Sequence, residues 1–154
     1  MLLFAKQFVS CSVSAEDVVQ EGFLRFWKTR NSRESRSIES HLFGCVRWAA
    51  LDWLRKCSRS RKREERYGLE EANDQESRSF DCPIEMQETA QRVEEALSGL
   101  PEEQREVVVL KIWGGLTLQE IGDALDISPN TAASRYRYAT SALRRTLQVK
   151  DYAE

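Results

Sequence analysis

Two helix start signals close together, at Thr117 and Ser128, restrict the fold of this chain more than any other feature. Thr117 opens the segment TLQE, in which a threonine and a glutamate three residues later can each accept a bond from the other's backbone N–H, an arrangement called a capping box. Ser128 precedes Pro129, and serine before proline is typical of a helix start. Apolar residues recur with helical spacing after both signals. The segment therefore predicts a short helix, a tight turn and a longer helix.

The longer helix is expected to have one packed side and one polar side. Packing is predicted for Ala132, Tyr136, Ala139 and Leu143, which repeat at helical spacing. In a helix-turn-helix, the early residues of the second helix meet base edges in the major groove, where arginine and asparagine pair with guanine and adenine. The pattern favours DNA reading over the plain alternative, a helical hairpin with a solvated basic face. The polar side carries Asn130, Thr131, Ser134, Arg135 and Arg137.

A further helix is expected just before this pair. Pro101 is interpreted as its first position, the acidic residues that follow suit the positive end of the helix dipole, and Gly114-Gly115 ends it. Its packed side is assigned to Val107, Val108, Leu110 and Ile112.

Charge is concentrated in separate zones, although the formal net charge of the chain is −2. The run from Arg55 to Arg66 has seven basic and two acidic residues, and residues 128–150 have five basic and none acidic. Between them, residues 68–106 have twelve acidic and three basic residues. Residues 67–82 are polar and are followed by Pro83, which is typical of a linker. The two basic zones are therefore expected to contact separate sites on DNA.

Composition indicates an all-α fold and argues against an enzyme or a membrane protein. The 154 residues are 31% charged and include only seven glycines and three prolines. No apolar run approaches the roughly 20 residues of a membrane span, so we expect a cytoplasmic protein without membrane insertion. No catalytic motif, small-molecule substrate, cofactor or metal site is indicated. Plain thiols and a non-catalytic histidine are expected for Cys11, Cys45, Cys57, Cys82 and His41, which lack metal-ligand spacing.

The amino-terminal half predicts two amphipathic helices. Ser14 with Asp17 marks the start of the first, whose apolar stripe is assigned to Val18, Val19, Phe23, Phe26 and Trp27. In the second, the packed positions are Val46, Ala50, Trp53 and Leu54. Its other side combines positive charge with an aromatic ring, the two kinds of group that bind separated DNA strands.

Three segments resemble a known family. The stretch LSGLPEEQREVVVLKIWGGLTLQEIGDALDISPNTAASRYRYATSALRRTL closely resembles region 4 of the extracytoplasmic-function (ECF) group of bacterial sigma factors. AEDVVQEGFLRFW and LFGCVRWAALDWLRK resemble helices of region 2 of the same group. The resemblance implies an all-α chain of two small helical domains joined by a flexible acidic linker, the C-terminal one a helix-turn-helix. We place region 2 at residues 1–66, the linker at 67–82 and region 4 at 83–150.

The same resemblance implies a sigma factor that binds core RNA polymerase, recognises the minus-10 and minus-35 promoter elements and directs transcription initiation. An anti-sigma factor is a further candidate partner. Contact with the minus-35 element is assigned to Asn130, Thr131, Ala133, Ser134, Arg135, Arg137, Arg144 and Arg145. Contact with the minus-10 element and strand opening are assigned to Asn31, Ser32, Arg47, Trp48, Asp52, Arg55, Lys56 and Arg59. Contact with RNA polymerase is assigned to Asp17, Gln20, Glu21, Arg25 and Trp27.

The chain departs from the family pattern at a few positions. Trp48 stands where asparagine is frequent, Ala133 where lysine or arginine is frequent, and Asp126 where the turn often has glycine. A left-handed backbone at Asp126 is therefore expected to carry some strain. The first helix of region 2 also looks shorter than usual.

The main alternative is a free-standing helix-turn-helix regulator that binds duplex DNA as a dimer. Such a protein needs a self-complementary apolar surface outside the reading module and no strand-opening segment, whereas this sequence has an aromatic and basic helix of the strand-opening kind. A helical adaptor without DNA binding would leave the acid-free residues 128–150 unexplained.

Overall fold

The computed structural model describes residues 1–9, 12–30, 37–67 and 84–151, with side chains at 1–9, 13–30, 37–60 and 91–147. Within these ranges the regular elements are helices, which confirms the all-α prediction. Their bounds are α1 (Leu2–Ala5), α2 (Ser12–Thr29), α3 (Ile38–Tyr67), α4 (Ile84–Ser98), α5 (Glu102–Ile112), α6 (Leu118–Leu125) and α7 (Pro129–Asp151). One compact unit holds α1–α3, and a second holds α4, α5, α7 and most of α6. Apart from Tyr67, the predicted linker lies outside the described residues.

The first unit is held together by packing of α2 against α3. Gly22 makes the close approach possible, because a Cβ atom there would lie 2.6 Å from the Cγ2 atom of Val46. Val46 is fully buried, and Val18 is 2% exposed. The ring of Phe4 meets the rings of Phe8 and Phe43 edge-on, with centroids 5.4 Å and 5.6 Å apart. Aromatic pairs prefer this geometry, so α1 is anchored on the same core.

The predicted apolar stripe of α2 is wrong in part. Val18 is buried and Phe26 is half-buried, but Phe23 and Trp27 are 48% and 66% exposed. The helix packs through the side that carries Ala15, Val18 and Gly22, and a period of 3.6 residues turns positions 23 and 27 away from it. The helix also begins at Ser12, two residues before the predicted start.

The second unit is built around α5 and α7. Its core contains Leu97, Leu100, Val108 and Ala139, and Tyr136 and Leu143 pack against it. This confirms the packed side that was predicted for the last helix. Two details of α5 differ from the prediction: Pro101 is the N-cap and not the first helical residue, and Ile112 is 53% exposed. Ile112 is the last residue of α5 and extends past the buried stretch Val107–Leu110.

Candidate nucleic-acid and partner interfaces

The helix-turn-helix has the caps that the sequence predicts. The backbone N of Glu120 donates to Oγ1 of Thr117 over 3.2 Å, and the backbone N of Thr117 donates to the Glu120 carboxylate over 2.8 Å. Ser128 Oγ accepts from the backbone N of Thr131 at 3.1 Å. Asp126 closes the turn with φ 59° and ψ 45°, a left-handed conformation. These residues mark where α6 begins and ends and where α7 begins.

The exposed side of α7 brings most of the predicted minus-35 residues together. Its packed side contains Ala132 and Ala139, which are fully buried. Thr131 and Ala133 are half-buried at the start of the helix, and the hydroxyl of Thr131 lies 2.8 Å from that of Ser128. Thr131 therefore takes part in the cap. The exposed members of the predicted set are Asn130, Ser134, Arg137, Arg144 and Arg145.

Arg135 lies at the edge of this side and not at its centre. Its side chain is 24% exposed, and its Nη2 atom lies 2.6 Å from Oε2 of Glu103 in the first turn of α5. The guanidinium that the sequence assigns to a base contact is therefore paired with a carboxylate of a neighbouring helix.

Tyr138 is an exposed residue on the same side that sequence reasoning missed. Its side chain is 59% exposed, and the guanidinium of Arg137 lies 5.3 Å from the centroid of its ring, within the range of a cation–π contact. The available signal was its position, one helical turn after Ser134. An aromatic ring at that position can contact a base or a thymine methyl group.

On α3, several predicted minus-10 residues share one exposed side. Trp48 is 48% exposed, and Lys56 and Arg59 are exposed two and three turns later. Arg47 is half-buried, next to this side. Asn31 and Ser32 lie outside the described residues.

Asp52 lies on the same side of α3 but is occupied by two arginines. Its Oδ2 atom accepts from Arg25 at 2.7 Å, and its Oδ1 atom accepts from Arg55 at 2.8 Å. The hydrogen bond from Arg25 is the main cause that lowers the pKa of Asp52. Arg25 also donates to Glu21 at 2.8 Å, and this bond lowers the pKa of Glu21 and raises the pKa of Arg25. The four residues form an ion-pair chain across α2 and α3, and the charge of the Asp52 carboxylate is largely neutralised by the two arginines.

The outer side of α2 mixes acidic, polar and apolar groups. Among the predicted polymerase contacts, Asp17, Gln20, Glu21 and Trp27 are exposed, whereas Arg25 is half-buried in the ion-pair chain. The guanidinium of Arg30 lies 3.5 Å from the centroid of the Trp27 ring. Sequence reasoning missed the apolar part of this side, which consists of Val13, Phe23 and Leu24, all 48% exposed or more.

The single histidine and two of the four cysteines lie in the described part of the first unit. His41 is 7% exposed, its Nε2 atom lies 3.0 Å from Oγ1 of Thr29, and its ring meets that of Phe26 edge-on. Neither Cys45 nor Cys57 is part of a disulfide bond. Cys11 and Cys82 lie outside the described residues. Among the residues that the structure describes, no group of three His, Cys, Asp or Glu residues could hold a metal ion, and no helix is long and apolar enough to cross a bilayer.

Comparison with known proteins identifies the family of the chain. Residues 2–60 match the family model "Sigma-70 region 2", and residues 90–143 match "Sigma-70, region 4". ECF RNA polymerase sigma factor SigK of Mycobacterium ulcerans is 31% identical over 135 residues, which is 86% of this chain and 72% of the relative. Sigma factor SigX of Bacillus subtilis is 25% identical over 138 residues, 87% of this chain and 71% of the relative.

A solved structure shows the same fold. The sigma factor RpoE from Bartonella quintana, crystallised with the anti-sigma factor NepR, superposes with a TM-score of 0.70 at 22% identity, over 96% of this chain and 89% of the other. The chain belongs to the ECF RNA polymerase sigma factors of the sigma-70 family. It is a promoter-recognising transcription initiation factor whose partners are RNA polymerase and promoter DNA.

Proposed function

We propose that three separate surfaces of this sigma factor carry its work: the outer side of α2 binds core RNA polymerase, the Trp48 side of α3 binds and opens the minus-10 element, and the exposed side of α7 reads the minus-35 element. Residues 1–66 and 83–150 are the two working domains, and 67–82 is the acidic linker. The protein acts in the cytoplasm by binding and positioning, with no catalytic step of its own. An anti-sigma factor is a further candidate partner, because the similar RpoE structure is a complex with one.

The observation that carries this proposal is the exposed tryptophan of α3 among cations. Separated strands need positive charge along the backbone and flat surfaces for unstacked bases. Trp48, Lys56 and Arg59 supply both on one side of a rigid helix. A regulator that only binds duplex DNA has no use for this combination.

The α2 surface supports the polymerase contact. Trp27 and Leu24 are 66% and 56% exposed, and large exposed apolar groups beside polar ones are typical of a protein interface. The acidic Asp17 and Glu21 on the same helix do not suit contact with phosphates. A protein partner therefore fits this surface better than DNA.

The test compares promoter DNA binding by the chain alone and by the chain with core polymerase. Each DNA-contacting surface is small, and the acidic residues 68–106 repel the phosphate backbone. We expect weak binding to duplex DNA at physiological salt without polymerase, and tight, sequence-selective binding and strand opening with it. Tight sequence-specific binding by the isolated chain as a dimer would support the free-standing regulator instead.

A further inference from the structure

We infer that Glu103 is a positioning residue for sequence reading, which acts through Arg135 without itself contacting a base. The inference rests on the proposed reading of the minus-35 element by α7. Arg135 lies between the packed and exposed sides of that helix, and Glu103 lies on α5. Their side chains are joined at 2.6 Å between Nη2 and Oε2.

The geometry suits a carboxylate that orients an arginine. A guanidinium has five N–H donors in a rigid planar fork, and Glu103 contacts one terminal nitrogen, Nη2. Each terminal nitrogen of a guanidinium carries two N–H groups and Nε carries one, so a single carboxylate oxygen at Nη2 leaves donors of Arg135 for a base edge or a phosphate. Arginine loses considerable rotamer freedom when it binds, and a side chain that is held beforehand loses less on contact with DNA.

The two side chains of this pair differ in exposure. The Arg135 side chain is 24% exposed, whereas that of Glu103 is 70% exposed. The arginine is thus confined by the protein, and the glutamate reaches it from the solvent side. Because both charges flank the proposed DNA face, the pair controls two quantities: the direction of the guanidinium and the local negative charge near phosphates.

Removing the glutamate should therefore have two opposite effects. A freed Arg135 samples several rotamers, so preference for the cognate base falls. Loss of a negative charge near the phosphate backbone also favours binding to any sequence. A merely structural ion pair predicts neither effect, because its loss would weaken binding to all sequences alike.

The experiment uses holoenzyme formed from the full chain and core polymerase. Wild-type holoenzyme first selects an upstream element from a duplex library that is randomised in that region. The selected element and a scrambled version are then the probes for Glu103→Gln, Glu103→Asp and Arg135→Ala. Glu102→Gln is the matched control, because it removes the same charge from the same exposed first turn of α5, whereas the ion-pair partner of Arg135 is Glu103.

For Glu103→Gln we expect the cognate-to-scrambled affinity ratio to fall at least about fivefold, the low end for one base contact. The loss should occur at the base pairs where Arg135→Ala also loses preference, with scrambled binding unchanged or stronger. Glu103→Asp keeps the charge, but its side chain is one methylene shorter. The cognate-to-scrambled affinity ratio should therefore fall, with no increase in affinity for the scrambled probe. Affinity for core polymerase and the thermal midpoint should not change.

An unchanged ratio in Glu103→Gln, or equal weakening on both probes, would overturn the inference. The inference would also be overturned if Glu102→Gln lowered the cognate-to-scrambled affinity ratio as much as Glu103→Gln does. Loss of a negative charge would then explain the effect without the contact to Arg135. If wild-type holoenzyme selects an upstream element and Arg135→Ala keeps that preference, only the inference fails. If wild-type holoenzyme selects no upstream element, the proposed role of α7 fails and the inference with it.

Discussion

Arg25 of α2 and Asp52 of α3 are joined by a hydrogen-bonded ion pair with 2.7 Å between Nη1 and Oδ2. The pair connects the helix proposed to bind polymerase with the helix proposed to open DNA. Arg55 completes the contact from the other side of the carboxylate at 2.8 Å. Asp52 therefore adds little net repulsion toward DNA, and Arg25 reaches any partner only as part of a fixed network.

Breaking this pair should cost a modest, pH-dependent amount of stability. In a double-mutant cycle of Arg25→Gln and Asp52→Asn at neutral pH, we expect a coupling of roughly 0.5–1 kcal/mol, since both side chains are about one third exposed and screened by water. Glu16→Gln, an exposed change on α2, is the control.

The sign of the pH dependence follows from the lowered pKa of Asp52. A carboxyl group whose folded pKa lies below its unfolded value, about 3.9, stabilises the fold fully above that value. Its contribution is lost as the pH falls through the lower, folded value. Urea unfolding of the wild type, the two single variants and the double variant should therefore show a coupling free energy that decreases below about pH 3.9. Coupling that increases as the pH falls would contradict the assignment.

Trp27→Ala should weaken binding to core polymerase without unfolding the chain. The side chain is 66% exposed, so its truncation should change the free energy of unfolding by about 0.5 kcal/mol or less. A tryptophan buried at a partner interface contributes more, so we expect affinity for core to fall about tenfold or further. Fluorescence anisotropy of a labelled chain titrated with core measures both this variant and Lys28→Ala, an exposed neighbour. Equal affinities for the two variants would argue against this surface.

Trp48→Ala should impair strand opening more than promoter binding. Stacking of an unpaired base on an aromatic ring contributes roughly 1–3 kcal/mol, and this contact forms only once the strands separate. The measurement is permanganate reactivity of unpaired thymines for each bound holoenzyme. Trp48→Phe should recover much of the loss. Trp113→Ala removes a tryptophan of similar exposure in the other unit and should leave opening per bound complex unchanged.

Arg144→Ala and Arg145→Ala should weaken binding to cognate and scrambled upstream elements alike. Both residues are exposed and lie about four helical turns after the start of α7, which suits phosphate contact better than base reading. Each lost phosphate contact reduces the slope of log affinity against log salt by about 0.9. Holoenzyme titrations at several salt concentrations measure this slope. Selective loss on the cognate element would reassign these residues to base reading.

Thr117→Ala should destabilise the second unit by about 1 kcal/mol, because it removes one acceptor of the capping box at the start of α6. Gln119→Ala, an exposed change within the same turn, should have little effect. Thermal unfolding followed by circular dichroism measures both variants. The prediction is wrong if the two midpoints shift equally.

The amino-acid sequence by itself determined the local features of this protein. Capping by Thr117 and Ser128 and the packed stripe of α7 depend on interactions within a few residues or on helical period, so residue type and spacing were sufficient to predict them. The family likeness of both halves could also be read from motifs. The assignments of individual residues to DNA or polymerase stay predictions.

Only the tertiary structure decided which side of α2 is buried and which charged side chains pair between helices. Phe23 and Trp27 were assigned to a packed stripe, but the neighbours of α2 cover its other side. Arg25 pairs with Asp52, which lies 27 positions away in the sequence. Arg135 of α7 pairs with Glu103 of α5. Helical period predicts that a residue shares a side with others, but it carries no information on which helix will cover that side, because this depends on how separate helices pack.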